Sequence, residues 1–426
     1  MRMNKNKRSF MTSAVLVGFC AISTSALAKT DLTLWSEGAG NPGEIKVLKE
    51  VVKDFNASQE KWNINLVAFP QDSYNDSVAA AALAEDLPDI LTVDGPVMPN
   101  WAWSGYLQPL PIDPSLVKDF LPGVKGYWGG KLYSIGLWDA AVSMVTRKST
   151  LTKAGIRIPT LEKPWTKDEF ESVLQKLKAT GKYEYPLDLG MAWKNEWYPY
   201  AFSPFLQSFG GDLIDRSNYQ VADGVLNGED AIAFGKWWQG LFSKGYVPGT
   251  SQDPADRDTG LIDGKYAMQW NGNWAALGVL KEFGSDTLFL PAPDFGHGPI
   301  IGAASWQMAV SSKSKYPEGA ADFIKFAMQD VYLAAFSDAT GFIPPTKSAA
   351  DLTGNYNEGG LMAGFYDLAA AQGRVRPVTP GYVVEAKVFL KALSDLANGA
   401  DVVDTLDNAA DEIDADIKKN RGYGHK

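Results

Sequence analysis

Asp31-Leu32-Thr33-Leu34-Trp35, Ile64-Asn65-Leu66-Val67 and Asp89-Ile90-Leu91-Thr92-Val93 are the runs whose reading decides the fold. Each is short, apolar-rich and bounded by turn formers, as a strand is. Ser36 to Gly43 is a Gly/Pro/Asn-rich turn. After it, Glu44 to Phe55 places Ile45, Leu48, Val52 and Phe55 at helical spacing. Ser73 and Asp76 open a second helix that runs through Leu83. Strand, helix, strand, helix, strand implies parallel pairing through right-handed crossovers. Such sheets bind ligands beyond the carboxyl ends of their strands. Trp35, Glu37, Glu44, Gln71 and Asp94 all fall at or just past those ends.

Further along, Ser134 to Val145 reads as one strand, followed by a short helix over Lys148 to Gly155. Thr166 with Glu169 three residues on is a capping box that opens the next helix. Glu229 to Phe242 and Asp256 to Ile262 read as helical, Ile300 to Ser311 as strand, and Pro317 to Met328 as helix. In the last helix Val402, Leu406, Ala409, Ile413 and Ile417 share one face. Asp404, Asp407, Asp411 and Asp414 occupy the others, and we read them as a solvated surface rather than a metal cluster.

The 426 residues are 45% hydrophobic and 21% charged, a globular composition long enough for two or three domains. A net charge of −10 argues against a nucleic-acid partner, which would need a basic face. Two His and one Cys leave almost nothing for a zinc, copper or iron–sulfur site, and no metal or cofactor is expected. Arg2, Lys5, Lys7 and Arg8 precede an apolar run from Ala14 to Ile22 and the Ala26-Leu27-Ala28 site. These are the three regions of a signal peptide, residues 1–28. Phe19 stands where a lipidated Cys20 would need a small residue, so Cys20 reads as part of the apolar run. Cleavage after Ala28 leaves 398 residues with no Cys and a net charge of −14. A periplasmic protein follows, stable from its core alone.

Leu261-Ile262-Asp263-Gly264-Lys265-Tyr266-Ala267-Met268 followed by Gly272-Asn273-Trp274 resembles the family 1 extracellular solute-binding proteins of carbohydrate ABC importers. Ala154-Gly155-Ile156 with Pro164 to Phe170 is similar to a second stretch of that family, although Trp165 precedes Thr166 and Lys167 stands where Trp is usual. Gly302 to Trp306, Gly341 to Pro345 and Arg376 to Tyr382 complete five pieces in order. The resemblance implies an α/β, two-lobe periplasmic binding protein (type II-like) with mostly parallel sheets and a multi-crossing hinge. Crossings near Ala141, Trp306 and Lys347 divide it into 29–141 and 306–347 for the first lobe, 142–305 and 348–426 for the second. It implies a monomer that holds a sugar between its lobes and hands it to membrane permease subunits.

A sugar presents vicinal hydroxyls at its rim and C–H patches on its faces. Carboxylates, amides and Arg pair with the hydroxyls, while Trp and Tyr cover the faces at small entropic cost. Trp270-Asn271-Gly272-Asn273-Trp274, Trp193 to Tyr200 (with Trp193 and Trp197) and Trp138-Asp139 offer such combinations. The implied ligand set also includes Trp306 and Arg376. Every one has a structural alternative. A Trp can be core, and Trp62, Trp101, Trp103, Trp128, Trp165, Trp237 and Trp238 are read as core or surface. Glu44 can serve a helix N-terminus, Asp94 a turn, and Arg376 a salt bridge. His297, between two glycines, reads as a loop residue.

Two rival functions remain at this level. A secreted carbohydrate-active enzyme needs two carboxyls at fixed separation, which fifty acidic residues supply by chance alone. A binding protein for a polyamine or glycerol phosphate needs carboxylates or an anion site respectively. Asp256-Arg257-Asp258-Thr259-Gly260 is faintly like a calcium loop but lacks the spacing. The aromatic density beside polar groups favours sugar.

Overall fold

A computed structural model describes residues 28–250, 252, 253, 255 and 259–424. Nearly all of the signal-peptide reading, and Asp256 to Asp258 of the calcium-like loop and of the Asp256–Ile262 helix, lie outside them. The strands are β1 (Thr30–Ser36), β2 (Trp62–Ala68), β3 (Ile90–Asp94), β4 (Leu107–Gln108), β5 (Lys125–Trp128), β6 (Lys131–Gly136), β7 (Ala140–Arg147), β8 (Tyr185–Asp188), β9 (Tyr266–Gly272), β10 (Thr287–Leu290), β11 (Ile301–Ala304), β12 (Trp306–Ser311) and β13 (Gly373–Arg374).

The opening unit has the expected order. Between β1 and β2 runs the helix Pro42–Ser58, and between β2 and β3 the helix Gln71–Leu83. β1 pairs in parallel with both strands, Thr30 opposite Trp62 and Leu34 opposite Ile90. The first helix starts cleanly because Asn41 accepts a bond from the Glu44 N–H and Pro42 sits in its first turn. It buries Val47, Leu48, Val51, Val52 and Phe55 together with Leu32, Leu34 and Ile64 of the sheet. Each such side chain contributes about 1.5–3 kcal/mol by leaving water.

Two sheets result. The first has the order β2-β1-β3-β12-β6-β5, with β4 beside β12; the second is β13-β11-β7-β9-β8, with β10 beside β7. The expectation of mostly parallel sheets needs correction. β12 runs antiparallel to both β3 and β6, and β7 runs antiparallel to β9, β10 and β11. The sheets are mixed, because only the strands joined by crossover helices pair in parallel.

The two long strand readings are also corrected. Ser134–Val145 is broken between β6 and β7, and Ile300–Ser311 is broken at Ser305 between β11 and β12. At both breaks the chain leaves one sheet and enters the other. At the first break Asp139 forms a bridge with Ile343, its N–H donating to the Ile343 carbonyl at 2.8 Å. That bond satisfies backbone which neither sheet can reach.

The capping box is present, with Thr166 accepting from the Glu169 N–H and Glu169 from the Thr166 N–H. The C-terminal helix Val402–Lys419 buries the five apolar residues of its face. Asp404, Asp407 and Asp411 are exposed as read, whereas Asp414 accepts the Ala222 N–H at 2.6 Å and ties down a loop. No helix among the described residues is long and apolar enough to cross a membrane.

Candidate functional site

The carboxyl end of β1 delivers Glu37, and the first turn of the following helix delivers Glu44. Because Asn41 does the capping, the Glu44 side chain is available to the cavity beyond. That cavity is lined by Ser36, Glu37, Glu44, Thr92, Trp138 and Trp306, among others. Thr92 donates to the Glu37 carboxylate at 2.5 Å. Burial pushes Glu37 up to about 7 against that bond. Burial, then the neighbouring Glu37 charge, pushes Glu44 well above its ordinary value, while a hydrogen bond from Trp138 opposes the shift. Trp138 is itself fixed by stacking on Phe342 at 3.9 Å.

Trp306 opens β12 directly opposite Asp94, the last residue of β3. Asp94 starts a second group of charges. Arg376 approaches Asp94 at 3.6 Å and donates to Glu196, which also accepts from the Tyr382 hydroxyl. The guanidinium lies over the Tyr200 ring at 4.9 Å, a stacking geometry Arg favours. Burial raises Asp94, with Arg376 pulling the other way. Burial likewise pushes Glu196 up to about 7 despite Arg376, and the Asp94 charge adds to it. Gly95, Gly123, Gln307 and Arg376 wall a second cavity beside this group. Gly123 is required there, since a Cβ would sit 2.6 Å from Asp139. Asp139, pushed up to about 7 by burial, accepts the Ala140 N–H.

Glu37, Glu44, Trp138 and Trp306 therefore gather at one cavity, and Arg376, ion-paired to Asp94, lines a second. The turn and salt-bridge alternatives for Asp94 and Arg376 are also realised, because both residues are built into the ion-paired group. Trp35 is half-buried against Phe69 at 4.7 Å. Gln71 is exposed at the start of its helix. Trp274 is half-buried with its ring against Gly272, where a Cβ would lie 2.2 Å from it. Trp197 is buried, donates to the Leu189 carbonyl at 2.8 Å, and meets Trp274 edge-on at 6.0 Å; Trp193 is half-buried against the core. Trp270 lies in the interior. It is 1% exposed, donates to the Ala201 carbonyl at 3.0 Å and packs on Phe205. Asn271 is fully buried on the same strand, bonded to Gln269. β9 is buried along its whole length, so a polar-looking segment sits in the interior.

Three residues of the charged group, Glu196, Tyr200 and Tyr382, were not singled out from sequence. Glu196 lies inside the aromatic segment noted above, but its partner Arg376 is 180 residues away. Among the described residues no group of three or more His, Cys, Asp or Glu could hold a metal ion.

The arrangement suits an uncharged, hydroxyl-rich solute. Buried carboxyls and a fixed guanidinium bond hydroxyl groups, and indoles cover carbon faces. The diacetylchitobiose binding protein DasA of Streptomyces coelicolor is 23% identical over 423 residues, 91% of this chain and 89% of its own. The GacH receptor of Streptomyces glaucescens, solved unliganded and with acarbose, superposes with a TM-score of 0.76 at 20% identity, covering 92% of this chain and 98% of the receptor. The sugar-binding protein MalE of Xanthomonas citri gives 0.77 at 17% identity, over 92% and 98%. These likenesses show a two-lobe, MalE-like architecture. The sequence profile of the bacterial extracellular solute-binding proteins matches residues 50–364, most of the chain, and the protein belongs to that family.

Proposed function

We propose that this protein captures a mono- or oligosaccharide between its lobes and delivers it to the permease subunits of an ABC importer. The carrying observation is the cavity lined by Glu37, Glu44, Trp138 and Trp306, with a second cavity lined by Arg376, which is ion-paired to Asp94. The first lobe is residues 29–141 and 306–347, the second 142–305 and 348–426. Both strand breaks then fall in the hinge, where a small backbone rotation separates the sheets. We place the protein in the periplasm as a monomer, released after Ala28. The relatives' names point to sugars, and the aromatic and carboxyl lining supports the same solute class.

Calorimetry with maltose, maltotriose and N,N′-diacetylchitobiose, backed by a thermal-shift panel of other sugars, tests this. A bound sugar raises the melting temperature by mass action. No shift across the panel overturns the sugar reading. Sustained product release from a labelled oligosaccharide would instead place the protein among enzymes.

A further inference from the structure

The seam between the lobes continues beyond the cavities. The helix Met98–Trp103 follows β3 and packs in the first lobe, with Met98, Trp101 and Ala102 in one cluster with Leu91, Tyr133 and Ala309. Its outer face meets the second lobe twice. Asn100 donates to the Pro380 carbonyl at 2.9 Å, and Trp103 meets Tyr423 edge-to-face at 5.0 Å. Asp94–Arg376 is a third contact between the same parts of the chain. Arg376 is 6% exposed, whereas Trp103 is 42% exposed.

Tyr423 is held by several independent contacts. Its φ is +53°, and Arg421 also has φ +53°, a left-handed conformation that L side chains resist. Its hydroxyl donates to Asp416 at 2.5 Å and accepts from Asn420 at 2.8 Å. Gln220 holds the Gly422 carbonyl at 3.1 Å, and a Cβ at Gly381 would lie 3.0 Å from the Tyr423 ring. Backbone strain of this kind persists only where surrounding contacts impose it. What it achieves here is to present the ring to Trp103.

We propose that the C-terminal segment Arg421–Gly424 is a clasp that closes the lobes on each other without a ligand, through Tyr423 on Trp103. The clasp rests on the two-lobe reading above but not on the identity of the solute. Trp103 and Tyr423 act as positioning residues. They favour the closed population, and any ligand that needs closure gains apparent affinity in proportion.

The test is small-angle scattering of the ligand-free protein, wild type against Trp103→Ala and Tyr423→Ala. Trp103 is half exposed, so its replacement leaves the fold intact, and an unchanged melting temperature verifies that. The expected result is a compact fraction in the wild type that both variants lose and Trp103→Phe retains. A sugar bound by the wild type should leave Trp103→Ala about 2- to 12-fold faster, the span of an aromatic pair, with its association rate unchanged. Identical scattering of wild type and Trp103→Ala overturns the clasp. If scattering differs while the sugar panel fails, the clasp stands and the sugar reading falls.

Discussion

Replacing Arg376 with Met leaves Asp94 and Glu196 facing each other with no cation between them. Arg376 is nearly buried, and it is the group that offsets the burial of both carboxylates. Removing one partner from a buried ion pair costs about 3–5 kcal/mol. Glu196 keeps 36% of its side chain in solvent, so screening places the loss at the lower end, about 2–3 kcal/mol at pH 8. The loss must depend on pH. Both acids already titrate above their unfolded values, and without Arg376 they move higher. A raised folded pKa means that the folded state binds the extra proton. Its contribution is fully present below the unfolded value near ~4 and is lost as pH rises through the folded one. For Glu196 that window extends from the ordinary carboxylate range to beyond about 7. The deficit of Arg376→Met should thus shrink as pH falls from 8 to 5. Urea unfolding of both proteins at the two pH values measures it. An equal deficit at both would show that the guanidinium contributes packing alone.

Trp270→Ala should lower stability by about 3–5 kcal/mol, as deletion of a buried aromatic does; a variant that melts like the wild type but binds sugar more weakly would return Trp270 to the site. Glu385 is buried with neither carboxylate oxygen hydrogen-bonded among the described residues, and burial pushes it up to about 8. Wild-type stability should therefore decline as pH rises toward 8, and Glu385→Gln should flatten that decline in denaturation series from pH 5 to 9. Thr166→Ala removes the capping box at a cost of about 1 kcal/mol, visible as a lower urea midpoint with sugar affinity unchanged.

Most of the first lobe was legible in the sequence because its elements follow one another. Ile45, Leu48, Val52 and Phe55 point inward only as a helix, and strands flank it. What escaped was non-local. Ser134–Val145 is apolar or small through most of its length, so nothing in its pattern marks the bend at Asp139, which depends on Ile343. The antiparallel entry of β12 depends on residues more than two hundred positions away. Glu37 and Asp94, proposed for the site, could be read from their places at the carboxyl ends of strands, whereas Trp306 came from the family resemblance. Trp270 could not, because a strand covered on both faces buries its polar and apolar residues alike. Glu196 needed the geometry of Arg376 to acquire meaning.

β12 lies between β3 and β6, both of which precede it by more than 160 residues. A chain emerging from the amino end therefore carries two unpaired strand edges until residues 306–311 arrive. During that interval the edges of β3 and β6 can recruit other strands. The second lobe likewise waits for β13 and the last helices. Neither lobe can be completed from a contiguous half of the gene. Truncations at apparent lobe boundaries should therefore leave strand edges unpaired rather than yield folded half-proteins.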